Sequence, residues 1–104
     1  VQHGEGVFRG ACGRQIYHQS WLPESQARAV LLIIHGFGEH SGRFTNVVGH
    51  LVPLGYAIHA LDHIGHGRSE GVRGHVRRFD DYSGALASYL EMVRGWQPGV
   101  PLFL

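Results

Sequence analysis

The segment His35-Gly36-Phe37-Gly38-Glu39-His40-Ser41-Gly42-Arg43 follows a run of branched apolar residues and leads into a stretch with helical spacing. Glycines at 36 and 38 let the main chain turn tightly enough for amide N–H groups to point into a cleft. Donors placed that way suit an oxygen that gains negative charge during acyl transfer. Glu39 and Arg43 stand four residues apart, so at a helix start they can pair and hold the loop in shape.

After Asp62 a second glycine- and histidine-rich segment runs from His63 to His75, with Gly65, His66, Gly67, Ser69 and Gly71 within it. Asp62 falls at the end of a strand candidate, where a short carboxylate bonds the N–H groups of the following loop. Gly67-Arg68-Ser69-Glu70-Gly71 satisfies the pattern G-x-S-x-G of a nucleophile elbow. An elbow needs a strand immediately before it and a helix immediately after. Ser69 instead follows a loop and precedes the polar stretch Val72 to Arg78, so the match reads as coincidence. His35, His40, His59, His63, His66 and His75 offer imidazoles of the kind that bind zinc, but they form neither an H-E-x-x-H helix nor a His-x-His-x-Asp loop. No metal and no cofactor are expected.

These segments need elements to hold them. Gly6 to Trp21, with Phe8, Ile16, Tyr17 and Trp21 around turn signals at Gly10 and Gly13, predicts an antiparallel hairpin. Ala29 to Ile34 is a continuous apolar run without alternation, as in a strand covered on both faces of a parallel sheet. Phe44, Val47, Val48, Leu51, Val52 and Leu54 fall at helical spacing, stopped by Pro53-Leu54-Gly55. Tyr56 to Leu61 is a second buried strand. Phe79, Tyr82, Leu86, Tyr89, Leu90 and Val93 mark one face of a helix, with Asp80 and Asp81 where the macrodipole favours anions. Gly84 weakens that helix by about 1 kcal/mol relative to alanine. Val100 to Leu104 begins a further apolar strand. The fold class predicted is α/β: an antiparallel hairpin leading into a mostly parallel sheet with helices on both faces.

Composition narrows the function. The chain has 104 residues, 43% hydrophobic and 16% charged, with a formal charge of +1, which fits one globular domain at most. Nine basic residues against eight acidic ones, with no basic stripe, argue against nucleic acid as a partner. A single cysteine, Cys12, excludes an internal disulfide framework and fits a reducing, cytoplasmic setting. No apolar run approaches the roughly 18 residues of a spanning helix. Peripheral contact with a membrane stays open.

The residues HGFGEHSGRF (35–44) and ALDHIGHGRSEG (60–71) resemble two blocks of the monoacylglycerol lipases, serine hydrolases of the α/β-hydrolase fold, at matching spacing. Phe79-Asp80-Asp81-Tyr82 and Gly99 to Leu104 are similar to that family's next helix and nucleophile strand. The similarity therefore runs from about Gly4 to the last residue. Gly84, and Val72 to His75, depart from the pattern in ways that touch stability or substrate approach.

The resemblance implies a carboxylic ester hydrolase acting on monoacylglycerol or lysophospholipid-type esters. It places the backbone N–H of Phe37, flanked by Gly36 and Gly38, in the oxyanion hole, and makes His35, Glu39, His40, Arg43 and Asp62 supports of the loop. Because the family order is serine, acid, histidine, Asp62 comes too early to be the acid. Nucleophile, acid and base are expected beyond residue 104, so that residues 1–104 form the N-terminal portion of one domain, completed by a continuation or a second chain. Two alternatives are an epoxide hydrolase or dehalogenase reaction on the same fold, which usually has proline in this loop, and a non-catalytic fragment.

Overall fold

Buried strands need neighbours on both sides, and the sheet shows how the apolar runs find them. The structure is a computed structural model that describes residues 2–10, 13–35, 44–63, 65–71, 73 and 79–103, with backbone alone at 45, 79 and 80. Five strands form one sheet in the order β1-β2-β4-β3-β5: β1 Gln2–Arg9, β2 Gln15–Leu22, β3 Ala29–Ile34, β4 Tyr56–Leu61 and β5 Leu102–Phe103. β1 with β2 and β2 with β4 are antiparallel, whereas β3 lies parallel to both β4 and β5. The sheet is thus a hairpin added to a parallel core.

β3 and β4 occupy the two apolar runs end for end. Their period of two divides the sequence between two cores. Val30, Leu32, Ala57 and Leu61 join Ile16 on one face, under Ala85, Tyr89 and Val93 of helix α2, Phe79–Trp96. Ile58 and Ala60 join Trp21 on the other face, under Val48 of helix α1, Thr45–Leu51, and under Val52. Fully burying one such Leu, Ile or Val stabilises the fold by about 1.5–3 kcal/mol.

Helix α1 is shorter than the apolar spacing predicts. Its last turn tightens to a 3-10 turn at Val52–Leu54, because Pro53 has no N–H to continue an α-helical ladder. Gly55 then ends it with φ 96°, a left-handed cap that L side chains resist. No helix among the described residues is long and apolar enough to cross a membrane.

Candidate active site at the ends of β3 and β4

Parallel pairing of β3 with β4 brings Ile34 opposite Leu61, so His35 and Asp62 leave the sheet side by side at its carboxyl edge. Ligand sites of open α/β sheets lie at that edge. Both side chains are buried, His35 at 3% and Asp62 at 2% exposure. The backbone N–H of His63 donates to Nε2 of His35 at 2.9 Å. A neutral His35 that accepts at Nε2 carries its proton on Nδ1. The rings of His35 and His63 meet edge to face at 4.4 Å, and His66 lies 5.3 Å from His35. Burial, with His35 next in weight, lowers the His63 imidazole to about 4.

The loop after β4 is tied down by its own short bonds. Asp62 accepts the Arg68 N–H on Oδ2 at 3.0 Å. Turns inside the loop link His66 N–H to His63 C=O and Ser69 N–H to His66 C=O. Gly65 and Gly67 hold φ values of 76° and 50°, which explains the glycine at each of these positions. Glu70 docks the loop on β2: its N–H donates to Gln15 C=O, and its carboxylate accepts the Gln15 N–H at 2.8 Å.

Ser69 has no nucleophile geometry. It is 3% exposed, accepts the Tyr17 N–H at 2.8 Å, and donates its hydroxyl to the Asp62 carbonyl. Both capacities of the hydroxyl are spent on backbone, so the G-x-S-x-G match is a strut between β2 and the loop. Among the described residues a loop rather than a strand leads into Ser69, and Glu70, Gly71 and Arg73 after it are not helical.

The hairpin forms a side wall. Tyr17 donates to Glu5 at 2.6 Å, Arg68 approaches the same carboxylate at 3.3 Å, and the Arg68 guanidinium lies 5.2 Å from the centre of the Tyr17 ring. The Tyr17 hydroxyl bond holds the Glu5 carboxyl below its usual range, and burial pushes the Tyr17 phenol up to about 12. A cavity of about 380 Å³ opens here between Glu5, Tyr17, Asp62 and Arg68. On the opposite face an apolar cavity of about 270 Å³ lies between Ile34, His63, Tyr82, Ser83 and Leu86.

Gly36, Phe37, Gly38, Glu39, His40 and Arg43 lie outside the described residues, as do Cys12 and His75. The structure therefore brings His35 and Asp62 together at the root of the predicted oxyanion loop. Among the described residues no group of three His, Cys, Asp or Glu side chains is placed to hold a metal ion. His18, half-buried on β2, belongs to none of the motifs, and His59, one of the six imidazoles set against zinc spacing, lies buried on β4; both pack against Trp96. The signal for His59 was a lone imidazole in the middle of an apolar run.

Residues 25–104 match the Hydrolase_4 family, described as serine aminopeptidase, S33. The chain is 33% identical over 97 residues to a monoacylglycerol lipase of Mycolicibacterium smegmatis, which covers 93% of this chain and 35% of that protein. It is 34% identical over 94 residues to the human monoglyceride lipase, covering 90% of this chain and 31% of that protein. The chain thus spans about a third of the length of the curated relatives it matches. In structure it superimposes on a carboxyl esterase of Bacillus coagulans with a TM-score of 0.87 at 22% identity, covering 99% of this chain and 35% of that one. The sheet is accordingly that of an α/β hydrolase, and the chain belongs to the S33 serine aminopeptidase family, Hydrolase_4.

Proposed function

We propose that this chain is the N-terminal portion of a serine carboxylic ester hydrolase that acts on monoacylglycerol or lysophospholipid-type esters. The observation that carries this is the junction of the two sequence blocks: His35, at the start of HGFGEHSGRF, accepts the N–H of His63, inside DHIGHGRSEG, at the edge where α/β sheets place their sites. Relatives named for monoacylglycerol hydrolysis share most of the chain. In this scheme a serine outside residues 1–104 attacks the acyl carbonyl and passes its proton to a histidine. The Phe37 N–H, between Gly36 and Gly38, holds the tetrahedral oxyanion. The alcohol leaves with that proton, and water then releases the acid from the acyl-enzyme. Glu39, His40 and Arg43 keep the loop in shape, and peripheral contact with lipid follows from the substrate class.

The rest of the domain packs on the edge of β5. Phe103 is 59% exposed there, and an apolar cavity of about 370 Å³ opens between Val30, Leu31, Leu51, Leu54, Tyr56 and Phe103. Such a surface calls for a further strand and helices rather than water.

The test is to label the complete protein with a fluorophosphonate and map the modified residue, alongside hydrolysis of a monoacylglycerol. A labelled serine outside residues 1–104 and release of fatty acid are expected. An active protein with an aspartate in the elbow and turnover of epoxides or haloalkanes would replace this proposal with the alternative reaction. Neither activity in a folded complete protein would leave the non-catalytic alternative standing.

A further inference from the structure

Helix α2 ends on a feature that ester hydrolysis does not use. His59, in the centre of β4, is 2% exposed, and neither ring nitrogen has a hydrogen-bond partner. One of those nitrogens carries hydrogen in any protonation state, so the site buries a donor without an acceptor. The covering ring is Trp96, the last residue of α2, stacked on His59 at 5.9 Å and 26°. Trp96 is itself 48% exposed, with one face on the imidazole.

A second imidazole shares the lid. His18 pairs with Leu61 and Ser20 with His59 in the ladder of β2 and β4, so His18 and His59 are diagonal neighbours on the α2 face. His18 lies 5.6 Å from Trp96, 5.2 Å from Tyr89 and 5.9 Å from Phe8. Every element packed here contributes apolar or neutral groups. β1 supplies Phe8, β3 has no titratable residue, and α2 supplies Trp96 and Tyr89, whose hydroxyl donates to the backbone carbonyls of Gln19 and Ala60. Glu91 and Arg94 are exposed on the outer side of α2. Among the described residues no carboxylate faces the pair.

We propose that the last turn of α2 is an acid-operated latch: Trp96 closes over His59 and His18 while both imidazoles are neutral, and their protonation releases it. A buried imidazolium here would lose its hydration without gaining an acceptor, and a second imidazolium would stand beside it. Attraction between one imidazolium and the Trp96 face opposes release, but a single indole face cannot compensate two desolvated like charges. The turn is built to open. Gly95 has no atom within 4 Å of where a Cβ would stand, and Gly99 turns the chain at φ 76° just after the helix. Opening past Val93, which stays in the core, breaks the Trp96 contacts with His59, His18 and Tyr89 and the bond from Gln97 N–H to the Val93 carbonyl. In agreement, burial, and for His59 also the neighbouring His18, hold both imidazoles below their ordinary range, His59 at about 4.

The complete protein labelled with 5-fluorotryptophan gives separate fluorine signals for Trp96 and for Trp21, which stacks on His3 elsewhere in the molecule. Between pH 6.5 and 4 the Trp96 signal should move to a solvent-exposed position before the Trp21 signal changes. The exchange protection of amides around residues 93–97 should fall about tenfold over the same range while β3 and β4 stay protected. His59→Phe, which keeps an aromatic plane without a charge, should lower the Trp96 midpoint by about one pH unit. Simultaneous change of both tryptophans, or an unaltered Trp96 profile in a folded His59→Phe protein, overturns the latch. Should that variant not fold, ring resonances of His59 in the unmodified protein decide: titration in step with Trp96 supports the latch, and titration near 6.5 with Trp96 still stacked overturns it.

Discussion

The backbone N–H of His63 and the Nε2 of His35 meet at 2.9 Å across two parallel strands, joining the loop after β4 to the root of the loop after β3. Neither segment then sets its position alone. A change in one loop is felt by the other through this partly buried bond.

His35→Ala removes the acceptor and leaves the partly buried His63 N–H without this partner, which costs about 1 kcal/mol. Urea unfolding of the complete protein should show that loss. If the Phe37 amide serves the oxyanion, kcat should also drop while KM changes little, since the lost interaction belongs to the transition state. An unchanged kcat in a destabilised protein would confine His35 to a structural role.

Ser69→Ala deletes one acceptor and one donor at once, because the hydroxyl spans Tyr17 N–H and the Asp62 carbonyl. A stability loss of about 1–3 kcal/mol is expected. Fluorophosphonate labelling of the complete protein should persist. Loss of labelling in a folded variant would make Ser69 the nucleophile after all.

Two imidazoles, His59 and His63, are held by burial at about 4 in the folded protein, against an ordinary value of 6.5. Between those values the unfolded chain binds more protons than the folded one, so stability rises with pH across the window. It is complete above 6.5 and falls as the pH drops toward 4. His59, the more deeply buried, accounts for about 3 kcal/mol of that loss. Denaturant midpoints at pH 7, 6 and 5 would reveal it, and a flat profile in a reversibly folding protein would contradict the burial of His59.

Residues 1–104 expressed alone should self-associate at micromolar concentration, because Phe103 and the cavity around Leu31, Leu51 and Leu54 face water. Phe103→Lys should reduce that association, as charge on an edge strand discourages pairing. Light scattering of the two polypeptides gives the comparison, and a monomeric parent chain would refute the expectation.

The sequence by itself determined the elements whose signals are local. The apolar runs Ala29–Ile34 and Tyr56–Leu61 became β3 and β4 at their predicted limits, and the spacing of Tyr82, Leu86, Tyr89 and Val93 placed α2. Continuous branched residues bounded by turn formers carry that information within a few positions. Predicted from Gly6 to Trp21, the hairpin proved longer, because pairing begins at Gln2 opposite Leu22 through contacts that no local pattern reports. The loop glycines Gly65 and Gly67 were legible for the same local reason, since a tight loop with positive φ demands glycine at fixed offsets.

Tertiary structure alone decided what depends on partners far apart in the chain. Whether Ser69 is exposed or spent is settled by Tyr17, 52 residues away. The pairing of His35 with His63 requires β3 and β4 to be neighbours in parallel register. His18, His59 and Trp96 sit on three different elements and share no sequence pattern, and only the stacking of α2 across the sheet makes them one site. Hydrogen bonding and burial act between atoms in space, whereas residue spacing fixes geometry only over the length of one helix, strand or turn.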